Sequence, residues 1–333
     1  MRYVLVIVYV LLAVTNAWAD ECIKNRAAFD IGSGTTKMVV ANVDTCRQKM
    51  IQILEEEELP VEYKEALGIS QGKFSTNIQN KGLEALRQLK SMAQKYDPEQ
   101  FVGVATSAFR TSNNGKMFTE RIEKELGIRT QIISQRTEAI LGFLAAYPQT
   151  DLEKKECLVW DIGGGSMQMV MAGDNNTFDV YEGKLASVSM KNMIIAAIQG
   201  KSYENVKSPN PMGKVGATKA TNLAQYYAEI HVPNSIKKKV ENLTVLGIGG
   251  VHYYSVRKQS VTDGKTYTLS DLERALAIRH ALSDEEIGGD YAATDISNLT
   301  LVLGFMKAIN IEKIRTLKAN IAHGILIYPK YWE

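Results

Sequence analysis

Two stretches of the chain share one pattern of apolar and polar positions. Ala28-Phe29-Asp30-Ile31-Gly32-Ser33-Gly34-Thr35-Thr36-Lys37-Met38-Val39-Val40 is echoed by Val159-Trp160-Asp161-Ile162-Gly163-Gly164-Gly165-Ser166-Met167-Gln168-Met169-Val170-Met171. Each reads as an apolar run ending in aspartate, a Gly/Ser turn and a second apolar run. Short apolar runs bounded by glycine turns predict strands that fold back on themselves, so the chain contains two related β-hairpins. In the first half, residues 50–55 predict a further strand and the acidic run 55–58 a solvated loop at its end. Leu83, Leu86, Leu89 and Met92 recur at helical spacing and predict an amphipathic helix over 78–96, stopped by Asp97-Pro98. A strand at 101–105, a helix at 115–126, a strand at 130–133 and a helix from Ser134 through Tyr147 complete an α/β alternation. The polar connection 148–156 divides the chain. The second half repeats the plan with its hairpin over 158–171, a strand at 177–181 and a helix at 189–198. A Pro/Gly-rich loop over 208–216, a helix at 217–229 and a strand over 243–250 follow, the last ending in a third glycine turn, Gly247-Ile248-Gly249-Gly250. The lysines at 237–239 are read as a helix surface.

Composition adds bounds. A chain of 333 residues with 45% hydrophobic content supports two domains, each with its own core. Lys and Arg total 39 against 37 Asp and Glu, a formal net charge of +2, so no global charge argues for nucleic acid as a partner. Arg2, the apolar run 3–14 and Ala17-Trp18-Ala19 before Asp20 have the form of a secretory signal peptide over 1–19. The apolar run is short against the roughly 20 residues of a membrane span. The expectation is an exported, periplasmic protein with no membrane association after cleavage, and domains over 20–147 and 148–333. The last helix is free to pack back on the first domain.

Export puts the three cysteines in an oxidising compartment. Gly34 lies midway between Cys22 and Cys46, so a regular hairpin sets them opposite each other, predicting a Cys22–Cys46 disulfide with Cys157 unpaired. If the strands stop short, both remain reduced.

Two facing Gly/Ser hairpins suit a chain of phosphates. Glycines let backbone N–H groups approach anionic oxygens, hydroxyls add donors, and an aspartate at each strand end suits a hydrated divalent cation.

Two such Asp-containing hairpins, each opening a β-rich half, resemble the actin, sugar kinase and Hsp70-like superfamily. The resemblance implies an α/β protein of two actin-like, ribonuclease H-like domains with an interdomain cleft. Ala105-Thr106-Ser107-Ala108-Phe109-Arg110 with Asn114, then Ile133-Ser134 leading into Glu138-Ala139, then 161–166, resemble the exopolyphosphatase and guanosine pentaphosphate phosphohydrolase (Ppx/GppA) family in its short two-domain form. The likeness runs from about Arg26 to Val256.

That resemblance implies hydrolysis of a phosphoanhydride in polyphosphate or a guanosine penta- or tetraphosphate. Glu138 would orient or deprotonate the attacking water, and Arg110 would clamp phosphate through its planar fork. Asp30 and Asp161 would hold Mg²⁺ or another divalent cation. Ser33, Gly34, Thr35, Gly163, Gly164, Gly165 and Ser166 would cradle the phosphates. Glu138 as a helix cap and Arg110 as a plain ion-pair partner are the structural alternatives.

Gln168 departs from the family, which carries glutamate at this place; in this respect the chain resembles the secreted apyrases, where a glutamine helps position water. Val251-His252 after the third glycine turn and Ala322-His323-Gly324 near the C-terminus depart as well. A nucleoside tri- or diphosphatase, a binding protein that has lost turnover and a kinase of the same superfamily therefore stand as alternatives. His252 and His323 are expected to be structural, and a homodimer is left open.

Overall fold

The computed structural model describes residues 22–260 and 264–333; the signal peptide expected over 1–19 lies outside the described residues. Two sheets carry the architecture. The first contains β1 (Ile23–Ile31), β2 (Thr35–Asp44), β3 (Lys49–Pro60), β4 (Phe101–Ala105) and β5 (Arg129–Ile132), in spatial order β3-β2-β1-β4-β5. The second contains β6 (Cys157–Ile162), β7 (Met167–Ala172), β8 (Phe178–Gly183), β9 (Thr244–Ile248), β10 (Thr266–Thr268) and β11 (Lys313–Thr316), in order β10-β11-β9-β6-β7-β8. Each opens with three antiparallel strands, and the first strand of each also pairs in parallel with a later one: β4 beside β1, and β9 beside β6. The duplication read from the hairpins is thus a duplication of two actin-like α/β domains.

Alternation along β1 and β2 divides the first sheet's faces. Ala27, Phe29, Ile31, Met38 and Val40 pack beneath the amphipathic helix Thr76–Ala93, while Ala28, Val39, Ala41 and Val43 face the helix Ile321–Ile327 and Trp332. In the second sheet, Trp160, Met167 and Met169 pack against Phe305 of the helix Ala292–Ala308; Trp160 and Phe305 have ring centroids 5.7 Å apart. Its other face takes Ala139 and Phe143 of the helix Gln135–Ala146. Each half of the chain therefore lends one helix to the other half's sheet. Those two helices also meet: a Cβ on Gly324 would collide with the backbone of Leu141, so only glycine allows the crossing.

Three expectations are corrected. The acidic run is not a loop, since residues 55–58 pair with residues 37–40 of β2 and lie inside β3. Glutamate has low strand propensity, and the pairing surface of β2 overrides it. The helix expected at 217–229 is Gly213–His231, beginning inside the loop read from its Pro and Gly content. The helix expected at 189–198 starts at Ser187 and continues beyond Met193 as a π-helix, Ile194–Ile198.

Cys22 and Cys46 are disulfide-bonded with Cα atoms 5.5 Å apart, and Cys157 is free and buried. The register differs from the direct opposition expected. Ile23 faces Asp44, so Cys22 lies against Thr45, whose N–H donates to the Cys22 carbonyl at 2.9 Å. The hairpin turns half a residue earlier than Gly34, and Cys46 reaches Cys22 from the turn beyond the ladder. Among the described residues no helix is long and apolar enough to cross a membrane.

Candidate active site

The two hairpin turns are built alike. The Gly32 N–H donates to the Thr35 carbonyl at 3.0 Å and the Gly163 N–H to the Ser166 carbonyl at 2.9 Å. They also meet across the domain seam. A Cβ on Gly164 would lie 3.4 Å from Ser33 Cβ, and one on Gly165 would lie 2.6 Å from Ser33 Oγ and 2.9 Å from Ser107 Oγ. A side chain at 165 would push both hydroxyls aside, and Ser107 Oγ donates across the seam to the Gly165 carbonyl at 3.1 Å. Ser33 Oγ is buried without a hydrogen-bond partner, an orphan of the kind that a bound anion would satisfy. The structure thus brings Ser33, Gly34, Gly164, Gly165 and Ser166 together. Thr35 sits farther out, its hydroxyl 3.4 Å from that of Tyr291 in the second half of the chain, and Gly163 serves the turn itself.

Behind the turns lie the two aspartates. Asp30 is 6% exposed and Asp161 is held between glycines: a side chain on Gly249, at φ +80°, would strike its Oδ1. The third glycine turn is therefore the space in which Asp161 sits. Burial raises the pKa of both carboxylates; Glu58 adds to the rise at Asp30, and Asp30 adds to the rise at Asp161, which reaches about 6. Lys37 opposes that rise, its ammonium 3.6 Å from Asp30 Oδ2 and close enough to Asp161 to favour its charged form. Two buried carboxylates of like charge with hard oxygen donors fit a divalent cation, which would relieve their repulsion. Lys37 was not singled out in the sequence, although its place opposite Asp30 follows from the hairpin register.

Glu138 and Arg110 converge from separate elements. Ser134 caps the helix Gln135–Ala146, accepting from the Thr137 N–H at 3.1 Å, and Glu138 in the first turn points into the protein with 7% exposure. Arg110 extends from the short helix Ser107–Thr111. Its Nη1 donates to Glu138 Oε2 at 2.7 Å and to the Ile133 carbonyl at 3.0 Å. Nε and Nη2 have no protein partner among the described residues, so half of the guanidinium fork is open. Glu138 is lifted to about 7, chiefly by burial; Arg110 opposes the rise, and Asp161 and Asp30 add to it. On its other oxygen, Ser166 Oγ approaches Oε1 at 3.4 Å, and Gln168 Nε2 donates to Ser166 Oγ at 3.2 Å. Arg110, Glu138, Ser166 and Gln168 form one line from the first domain into the second hairpin. Gln168 faces Asp161 in the β6–β7 register, which sets both side chains on one face of the hairpin.

An aromatic cluster fixes Arg110. Phe109 packs against Tyr63, Phe74 and Phe118 with ring centroids 5.0, 4.8 and 5.5 Å away. Asn114 clamps this cluster, accepting from the Phe74 N–H at 2.8 Å and donating to the Phe74 carbonyl at 2.9 Å. Asn114 therefore has a positioning role outside the phosphate cradle. His252 is buried, hydrogen-bonded to Tyr267 at 2.6 Å and depressed to about 3 by burial; His323 is buried beside Asn320. Neither meets the aspartates.

Two α/β domains of actin-like fold, with facing glycine hairpins that bring together two aspartates, an arginine and a glutamate, form a cleft lined by groups suited to an anion. A profile of the Ppx/GppA phosphatase family matches residues 38–208, a little more than half of the sequence, and the chain belongs to that family. It is similar to the putative exopolyphosphatase of Haemophilus influenzae, 29% identical over 152 residues, which are 46% of this chain and 46% of that protein. Exopolyphosphatase 1 of Mycobacterium leprae is 27% identical over 140 residues, 42% of this chain and 40% of its own. The chain spans less than half the length of the curated relatives it matches. Among solved structures, the Aquifex aeolicus Ppx/GppA family member superposes with a TM-score of 0.70 at 18% identity, covering 92% of this chain and 97% of that one, a likeness of fold.

Proposed function

We propose that this protein is an exported phosphoanhydride hydrolase, an exopolyphosphatase that releases orthophosphate from polyphosphate or from a guanosine penta- or tetraphosphate. The observation that carries this reading is the Arg110–Glu138 pair. A buried glutamate raised to about 7 stands beside a guanidinium with an open fork, at the point where two glycine turns meet. Glu138 is poised to hold and accept a proton from water near neutral pH, while Nε and Nη2 of Arg110 take oxygens of the transferred phosphoryl group. Phosphoryl transfer needs positioning and charge neutralisation more than a strong base, and a cradle of backbone N–H groups with Ser33 and Ser166 supplies both. Asp30 and Asp161 are the residues that would hold Mg²⁺, whose chemistry is to neutralise charge on the phosphate oxygens.

The two turns touch, so phosphates enter by separation of the domains; closure then excludes bulk water. Equal interdomain angles with and without phosphate would remove closure from the cycle. Export rests on the form of residues 1–19 and is supported by the Cys22–Cys46 disulfide, which suits an oxidising compartment such as the periplasm. Cell fractionation with and without residues 1–19 tests it.

Gln168 favours a second reading, hydrolysis of nucleoside tri- or diphosphates. It is 1% exposed and donates to Ser166, where an amide orients a hydroxyl rather than adding charge beside a cation. The test is phosphate release by the chain from Asp20 onward with Mg²⁺, on long polyphosphate, guanosine pentaphosphate and ATP in parallel with Glu138→Gln. Release from polyphosphate that disappears in the variant supports the first reading, and release chiefly from ATP supports the second. Release from none of them makes the protein a binding module.

A further inference from the structure

A cation next to Arg110 has no protein partner. Tyr63 and Phe109 pack edge to face, and the residues that follow them in the chain, Lys64 and Arg110, lie close enough for the Arg110 charge to act on the Lys64 ammonium. Lys64 is also tied to the cradle, because its N–H donates to the Ser33 carbonyl at 2.9 Å. The carboxylates nearest it in sequence are committed elsewhere. Glu62 binds Lys81 at 2.6 Å, and Glu65 binds Lys191 of the second domain at 2.7 Å across the seam. Among the described residues the Lys64 ammonium has neither a hydrogen bond nor an ion pair. It is half-buried, and burial and the charge of Arg110 together push its pKa down, the condition of a cation waiting for an anion. The buried, unpartnered Ser33 Oγ lies on the same turn and is a second, independent sign of an absent ligand.

We propose that Lys64 binds the substrate phosphate next to the one gripped by Arg110, so that the cradle selects a chain of two or more phosphates over a lone phosphate group. The inference rests on the phosphoanhydride reading above and deepens it. Lys64 binds rather than reacts, so its loss weakens affinity for phosphate chains and leaves Arg110 and Glu138 in place. A charge-assisted contact of this kind is worth about tenfold or more in affinity.

The probes are methylenediphosphonate, a two-phosphorus chain that cannot be hydrolysed, adenosine 5′-(α,β-methylene)diphosphate, which carries the same two-phosphorus chain on a nucleoside, and phenylphosphonate, a single phosphonate. Calorimetric titration into the mature chain, Lys64→Ala and Lys64→Arg should show about tenfold weaker binding of methylenediphosphonate by Lys64→Ala. Phenylphosphonate should change less than about twofold, and Lys64→Arg should keep most of the affinity. A larger loss with the nucleoside-borne chain than with the inorganic one would assign the site to nucleotides, and the reverse to polyphosphate. Equal affinity of Lys64→Ala and the parent for methylenediphosphonate, an equal loss for all three probes, or no binding by the parent would overturn the inference. Its fate is separable from that of the hydrolase: Lys64-dependent binding without phosphate release removes only the activity, and release with unchanged binding removes only the role of Lys64.

Discussion

The two hairpins share a turn and differ in what stands across the ladder from the aspartate. Asp30 faces Lys37, whereas Asp161 faces Gln168. The first aspartate therefore has a counterion inside its own hairpin. The second has an amide that donates to Ser166, and it is left with a pKa of about 6. One half-site holds an ion pair within its hairpin and the other does not. Burial raises both carboxylates, and Lys37 opposes the rise at each, through a direct ion pair with Asp30 and through its charge alone at Asp161. A duplicated scaffold has kept the backbone of both copies and divided their charges.

The largest effects should come from groups serving both hairpins. Glu138→Gln should lower kcat for phosphate release by about a thousandfold, the range of a lost general base, while the protein remains folded by circular dichroism. A variant with parental kcat would take Glu138 out of the mechanism. Next, Asp161→Asn and Asp30→Asn should separate the two half-sites. With chelator present at pH 8, Asp30→Asn leaves a buried Lys37 short of its partner and should lower Tm by several degrees. Asp161→Asn removes a carboxylate ionised against its preference and should leave Tm unchanged or raised, although activity is lost. Equal falls in Tm would mean that the two half-sites do not differ.

Gln168→Glu should sharpen the comparison by placing a second carboxylate on the Asp161 face, with the Mg²⁺ concentration for half-maximal phosphate release falling about tenfold. No change in that requirement would mean that residue 168 does not face the cation. A pH profile is a finer probe. Burial lifts Glu138 to about 7, so its base form is present above that pH and lost below it. kcat/KM should rise with pH to a plateau, dropping about tenfold per unit on the acid side, and the limb should vanish in any residual activity of Glu138→Gln. Cys46→Ser should have the smallest effect on catalysis. It removes a closure that spans 24 residues in sequence and should cost about 3 kcal/mol of stability with kcat unchanged.

Local pattern carried the hairpins, the helix Gly115–Leu126 and the helix opening after Ser134, because strand alternation, glycine turns and helical spacing are read from a few neighbouring residues. The same reading misplaced the acidic run, because Glu56 and Glu58 become strand residues only through pairing with β2 and through partners such as Lys318, 2.8 Å from Glu56. It left the helix Ala292–Ala308 unread, since a helix buried on nearly every side shows little amphipathic period. Asp30, Arg110, Glu138, Asp161 and Gln168 were legible as residue types in an ordered set of motifs. Lys37 and Lys64 were not, since a lysine in a strand or a short helix looks like any solvated charge until its neighbours are known.

The duplicated hairpins, the α/β alternation and the residue types available to the cleft are legible along the chain. Those are properties of contiguous segments, where propensity and periodicity act over a few residues. That the two turns touch, that Arg110 donates to a buried Glu138, that Gly249 makes room for Asp161, and that Lys64 is left without a partner among the described residues all follow from the packed fold. Burial and Coulomb interactions depend on distance in space, and that distance is fixed only when the two domains close on each other.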